Sequence, residues 1–362
     1  MKPTSVNRII ATVAIGLALP LGYFGIHALS TVPHAQKSAE QVAKVEDDQT
    51  PKLEIMLPYG DSTAIIKALK RLPAEGGRVI LGSGIFTVHE PIVLDRDNVE
   101  LRGDGSTTIL RLADRAVCPV LVIGSIVTPT PRIVSRVSVK NLVLDGNRRS
   151  QDLECWGGVC DSGGVSVIRN NGLTIRGASD IKVEQIIARN ARSGGVVIEK
   201  HCREIYIDNL EASDNHFDGL ACYETEDSYF NRLNLHHNQA AGISLDLDFN
   251  HNTIKSAEIH NNGSQGIFMR KSNNNDFKKI TLHNNGNQGV FIAQADDDVG
   301  TSCKNNVFSD MTVENNKGYG FRINDPSCTE NLVRNSQFKN NAPGNVSEVA
   351  DKLVALLNVS VL

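Results

Sequence analysis

One repeat constrains this chain more than any other feature. A glycine, an apolar residue, any residue and a second apolar residue recur across residues 172–321. The pattern reads Gly172-Leu-Thr-Ile, Gly195-Val-Val-Ile, Gly219-Leu-Ala-Cys, Gly242-Ile-Ser-Leu, Gly266-Ile-Phe-Met, Gly289-Val-Phe-Ile and Gly320-Phe-Arg-Ile, at spacings of 23, 24, 23, 24, 23 and 31 residues. The longest spacing carries an insertion around residues 296–302. A second run keeps the same register: Leu210, Leu233, Ala257, Ile280 and Met311, followed two residues later by Ala212, Leu235, Ile259, Leu282 and Val313. Alternation of period two predicts strands with one buried face. Short strands in a repeat of this length cannot bury that face alone, so successive turns must stack into a solenoid. The density of Gly and Asn excludes helical repeats.

Asparagines mark the corners. Asn252, Asn275, Asn306 and Asn331 share one position of the repeat, and Asn190, Asn215, Asn238, Asn262, Asn285 and Asn316 share another to within one residue. In coils stacked ~4.8 Å apart, equal positions form columns. A column of Asn can bond its amides to the neighbours above and below, and Asn tolerates the left-handed turn conformation. These columns are read as structural. Cys303 and Cys328 also share a column, with Ser272 below them, as a disulfide or a simple stack. The chain has 7 cysteines, and the odd number leaves at least one thiol unpaired. Cys155 and Cys160 bracket the one tryptophan, Trp156, and suggest a disulfide-pinned flap.

The ends differ from the repeat. Residues 1–30 carry Lys2 and Arg8, then a mostly apolar run from 9 to 29, which reads as a secretory signal or an uncleaved membrane anchor. Residues 31–54 read as a polar linker. Export permits disulfides and points to the periplasm or the outside of the cell, with the membrane touched only through that first segment. Residues 61–72 predict a helix with Ala64, Ile65, Ala68 and Leu69 on one face, placed to cover the open end of the solenoid. Residues 346–357 predict a short amphipathic helix inside a C-terminal cap spanning 346–362. A net charge of −4 gives no electrostatic reason to bind nucleic acid, and a monomer is expected.

The segments DSTAIIKALKRLPAEGGRVILGSGIFTV, VELRGDGSTTILRL and VKNLVLDGNRRSQ resemble the opening coils of the pectate-lyase-like superfamily. That superfamily holds pectate lyases, polygalacturonase-like hydrolases, mannuronan C5-epimerases and phage tailspikes. The resemblance implies an all-β, single-stranded, right-handed parallel β-helix over residues 55–345. It also implies a polysaccharide partner, and a lyase or C5-epimerase acting on an acidic, uronate-containing polymer. An inverting glycoside hydrolase and a non-catalytic glycan-binding or assembly protein stand as alternatives, since a fold alone does not fix the reaction.

If the first and third residues after each Gly point inward, the second and fourth point outward. The fourth-position column then reads Arg176, Glu199, Tyr223, Asp246, Arg270, Ala293 and Asn324, and the sixth position offers His201, Thr225, Asp248 and Ser272. Polar outward residues are the rule on any solenoid. Here, however, carboxylates, a phenol and a guanidinium concentrate on adjacent coils.

For proton abstraction beside a uronate carboxylate, Arg270, helped by Lys271 or Arg176, is the expected neutraliser. Tyr223 and His201 or His216 are the base and acid, with Asp246 and Glu199 beside them. A nearby Arg would favour the Tyr223 phenolate. Asp218, Asp248 and Phe268 are read as substrate-binding, with Phe268 and Phe291 offering faces for sugar rings.

The hydrolase alternative rests on Glu199 and Asp246, two coils and so ~10 Å apart. The chain has neither the Asp-Pro-His of the epimerases nor the Gly-His-Gly of the polygalacturonase-like enzymes. No cofactor is required by this reading. Calcium fits as an option at Asp246, Asp248 and Glu224, or at Asp296-Asp297-Asp298.

Overall fold

The computed structural model describes residues 53–156, 168–295 and 301–362. The N-terminal segment read as signal or anchor, nearly all of the linker, Cys160 and Asp296-Asp297-Asp298 lie outside these residues. The chain winds as a right-handed parallel β-solenoid. Each full coil contributes one long bent strand to a 16-stranded sheet and one short strand to a 9-stranded sheet. Cys202–Ser213, Leu220–Tyr223, Tyr229–His236 and Ile243–Asp246 show the alternation. Among the described residues, no helix is long and apolar enough to cross a membrane.

The repeat sets the register. On the long sheet Ile207, Phe230, Ile254, Phe277 and Phe308 stand one above the other, and all are buried. On the short sheet Leu173, Val196, Leu220, Ile243, Ile267, Val290 and Phe321 do the same. Each such Ile, Leu or Phe contributes ~1.5–3 kcal/mol by leaving water. The long strands bend where one residue is left-handed: Asn209, Arg232, Ser256 and Lys279 have φ of 57°, 52°, 55° and 56°.

The asparagine columns are hydrogen-bonded ladders. The amide of Asn215 donates to Asn238 (2.9 Å), Asn238 to Asn262 (3.0 Å), Asn262 to Asn285 (3.0 Å), Asn285 to Asn316 (2.9 Å) and Asn316 to Asn341 (2.9 Å). Asn252, Asn275, Asn306 and Asn331 form the second ladder. Asn190 is not a rung. It belongs to the preceding left-handed column with Asp214, His237, Asn261 and Asn284, while Ala191 takes the rung position and donates its N–H to Asn215. The ladder also explains the repeat's glycine. A Cβ on Gly219 would lie 2.8 Å from the Asn238 amide nitrogen and 2.9 Å from the Gly242 carbonyl oxygen.

Coil length alternates for a local reason. After the strip residue, the 24-residue coils place two left-handed residues, Lys200-His201 and Leu247-Asp248, where the 23-residue coils place one, Glu224 or Lys271. The chain then turns inward at Cys202, Thr225, Phe249 and Ser272, all fully or nearly fully buried. Thr225 and Ser272 therefore face the core, and the expected outward sixth-position column does not exist. Cys303 and Cys328 continue this inward side as free thiols, the Cys303 N–H lying 3.4 Å from Cys328 Sγ. They are a stack, not a disulfide. Cys155 is disulfide-bonded.

The expected N-terminal helix spans Ser62–Arg71, with Asp61 accepting from the Ala64 N–H at 2.9 Å. Its last carbonyls are satisfied by Arg96, which donates to Leu69 and Leu72. The strand Glu54–Leu57 precedes it and pairs with Gly77–Leu81. The C-terminal helix is shorter than expected, Glu348–Leu353, because the chain then returns to the long sheet as Val354–Val361 beside Asn331–Lys339.

Candidate functional site

The outward face of the short sheet brings together most of the residues singled out from the repeat. Arg176 pairs in register with Glu199, Tyr223 with Asp246, and Arg270 with Ala293. Two ion pairs run along this strip. Arg176 Nε lies 3.0 Å from Glu199 Oε1, and Arg270 donates to Asp246 Oδ2 through Nε (3.0 Å) and Nη2 (2.5 Å). Arg176 is wholly buried and also reaches Thr128 Oγ1 at 2.6 Å. It therefore holds Glu199 from beneath and is not placed to bind substrate. Asp246 is buried as well.

The residues of the turn below the strip pair across coils. His201 Nδ1 lies 3.0 Å from Glu224, and Lys271 Nζ lies 3.3 Å from Asp248. His201 is 81% exposed at its side chain, on the rim. Asp246 and Asp248 are thus each paired with a cationic side chain and Glu224 lies beside His201, and among the described residues these carboxylates do not gather into a calcium cage. Among the described residues, a divalent cation could instead be held by Glu258, His260 and His283 on the long sheet.

Burial decides the electrostatics. The Asp218 carboxyl is pushed up to about 6 by desolvation, against the N–H of Ala241 at 2.8 Å and the charge of Arg169. Desolvation and the nearby Asp218 and Asp246 push the Tyr223 phenol upward. Arg270 is committed to Asp246, so Tyr223 is not the phenolate expected from the sequence and is a protonated phenol at neutral pH. Desolvation also raises Glu199, partly offset by Arg176.

Two contributors escaped the sequence reading. Arg169 stands over the Phe217 ring (5.2 Å), pairs with Glu154 and electrostatically reaches Asp218, Tyr223 and Glu199. It enters from outside the repeat, where a bridge joins it to Cys155. Phe217 is 39% exposed and meets His216 edge-on at 6.1 Å. Its only sequence signal was its place between His216 and Asp218. Phe268 and Phe291 stack on each other at 5.7 Å, but Arg270 and Arg322 cover their faces at 5.6 and 5.5 Å. Trp156 packs against the core.

Fold and site together define a parallel β-solenoid with a partly buried polar strip on one sheet. The sequence matches the model of the right-handed β-helix region over residues 160–301 and 207–352, together more than half of the chain. The chain belongs to that family. No curated protein sequence matches it.

Among solved structures it is similar to ORF18 of Geobacillus virus E2, with a TM-score of 0.57 and 15% identity over 82% of this chain. The match covers 56% of the virus chain, so this protein spans little more than half of that relative. It is also similar to an endo-xylogalacturonan hydrolase from Aspergillus tubingensis (TM-score 0.57, 14% identity, 85% of this chain and 93% of that one). A third likeness is to the Dettilon tailspike protein gp208 (TM-score 0.53, 11% identity, 84% and 68%). At such identities the likeness is one of fold.

Proposed function

We propose that this is an exported carbohydrate-active β-helix whose short-sheet strip processes an acidic, uronate-containing polysaccharide by lyase or C5-epimerase chemistry. One observation carries the reading. Asp218 and Tyr223 are electrostatically coupled, and Asp218 titrates near neutrality while Tyr223 keeps its proton. A base that ionises near 6 and an acid that stays protonated are the two groups such chemistry needs.

In the lyase branch the Asp218 carboxylate takes the proton from C5 of the uronate. The C5–H electron pair forms the C4–C5 double bond as the C4–O bond breaks, and Tyr223 gives its phenolic proton to the departing oxygen. In the epimerase branch Tyr223 instead returns a proton to C5 from the opposite face. Arg169 is the cation beside these groups, and on this reading it exchanges its pairing with Glu154 for the uronate carboxylate, with Phe217 at the rim beneath it. This assignment makes Asp218 the base and Tyr223 the acid. Arg270 and Asp246 become the fixed ion pair that shapes the strip.

Incubation with a panel of alginate, pectate and neutral polymers separates the outcomes. A lyase produces an unsaturated product that absorbs in the ultraviolet, and an epimerase exchanges the C5 proton with heavy water without chain cleavage. Reducing ends without unsaturation would assign a hydrolase, and binding without either product would make the strip a recognition surface.

A further inference from the structure

The long sheet carries a cluster that the proposed reaction does not use. At the ends of three successive long strands, His236, His260 and His283 occupy paired positions. Their rings stack at 5.0 and 4.8 Å, with interplanar angles of 15° and 2°. Glu258, two residues before His260 and so on the same face, places Oε1 3.3 Å from His283 Nε2. One ligand atom each from Glu258, His260 and His283 lies within 4.8 Å of the others.

The inner nitrogens of the rings are held in a matched way. Nδ1 of His260 meets the side-chain amide of Asn261, and Nδ1 of His283 meets that of Asn284, both at 2.9 Å. Both asparagines are left-handed, with φ of 54° and 57°. Parallel rings with Nδ1 engaged alike present Nε2 on the same side, toward Glu258. The asparagine atom at each Nδ1 is the amide nitrogen, and a half-turn of the amide brings its oxygen there to accept Nδ1–H, which is how ligating imidazoles are commonly oriented.

We propose that Glu258, His260 and His283 bind a divalent transition-metal ion of the Zn2+, Ni2+ and Cu2+ class through one carboxylate oxygen and two Nε2 atoms. Asn261 and Asn284 are positioning residues. Imidazole-rich sets suit these ions, whereas calcium takes six to eight oxygens and finds one carboxylate here. Metal–ligand bonds of ~2.0–2.2 Å require the Nε2 edges to tilt together, and side chains at strand ends have room to do so. The ion would clip two successive coils and stabilise the folded chain by mass action.

Calorimetric titration of the full chain with ZnCl2, NiCl2 and CaCl2, with circular dichroism as the fold control, tests this. Saturable one-to-one binding of Zn2+ and Ni2+ is expected, with Ca2+ on the order of 100-fold weaker or absent. His283→Ala and His260→Ala should each weaken Zn2+ binding on the order of 100-fold, Asn284→Ala about 10-fold, and His251→Ala not at all. No saturable Zn2+ binding, Zn2+ binding unchanged in folded His283→Ala, or Ca2+ bound as tightly as Zn2+ would each overturn the proposal.

Discussion

The outward faces of the two sheets arise from the same alternation, yet the ion pairs of the short-sheet strip lie deeper. On the short sheet Arg176 is fully buried beside Glu199, and Asp246 is 5% exposed beside Arg270. On the long sheet the pair Arg203–Asp227 leaves its side chains 59% and 49% exposed. The difference comes from what lies over the strands. The segments around Phe217-Asp218 and Arg169 crowd the short sheet, and the removal of water there raises Glu199, Asp218 and Tyr223. An outward position on a solenoid is therefore not a solvated one by default. The segments that cover the strip turn an ordinary polar face into a desolvated one.

The largest effect that tests this contrast is catalytic. Asp218→Asn and Tyr223→Phe should each lower turnover of a uronate polymer by ~10²–10⁴-fold. The matching change Tyr206→Phe on the long sheet should leave turnover within a factor of two or so. Next comes stability. Arg176→Ala leaves the half-buried Glu199 carboxylate without its cation and should cost about 2–4 kcal/mol in urea unfolding. Arg176→Met combined with Glu199→Leu should recover most of that loss, whereas Arg203→Ala should cost at most about 0.5 kcal/mol.

A third change asks whether the ladders are as rigid as the core. Asn262 is buried, donates to Leu235 and Asn285, and accepts from Asn238. Asn262→Ala should cost ~2–3 kcal/mol, read from the shift of the urea midpoint at constant slope.

The smallest effect is a dependence on pH. The raised Asp218 carboxyl contributes stability that is complete below the ordinary carboxylate range and lost as pH rises through about 6. Asp218→Asn, which does not titrate, should therefore gain ~1–3 kcal/mol relative to the parent chain between pH 4 and pH 7. In the parent chain turnover should rise through about pH 6 as the base ionises.

Much of the solenoid was legible because glycine, apolar alternation and asparagine recur at fixed intervals and so reveal which residues share a column. Arg176, Glu199, Tyr223, Asp246 and Arg270 were found this way. The sixth-position column failed because alternate coils carry an extra turn residue, which keeps His201 and Asp248 in the turn, whereas Thr225 and Ser272 in the shorter coils already face the core. Arg169 was invisible because it reaches the strip from a segment outside the repeat. The C-terminal strand was read as helix through residue 357, although Asn358 repeats Asn335 at the coil spacing and its amide donates to it at 2.9 Å. Burial, which raises the Asp218 carboxyl, depends on covering segments whose placement no local pattern encodes.

A crystal structure of Tyr223→Phe soaked with a uronate oligosaccharide tests the account most directly. The sugar should lie across the short sheet, with its carboxylate at Arg169 and its ring beside Phe217, Asp218 and position 223. A chain laid instead along the stacked Tyr206 and Tyr229 of the long sheet, whose rings are 5.7 Å apart, would contradict it.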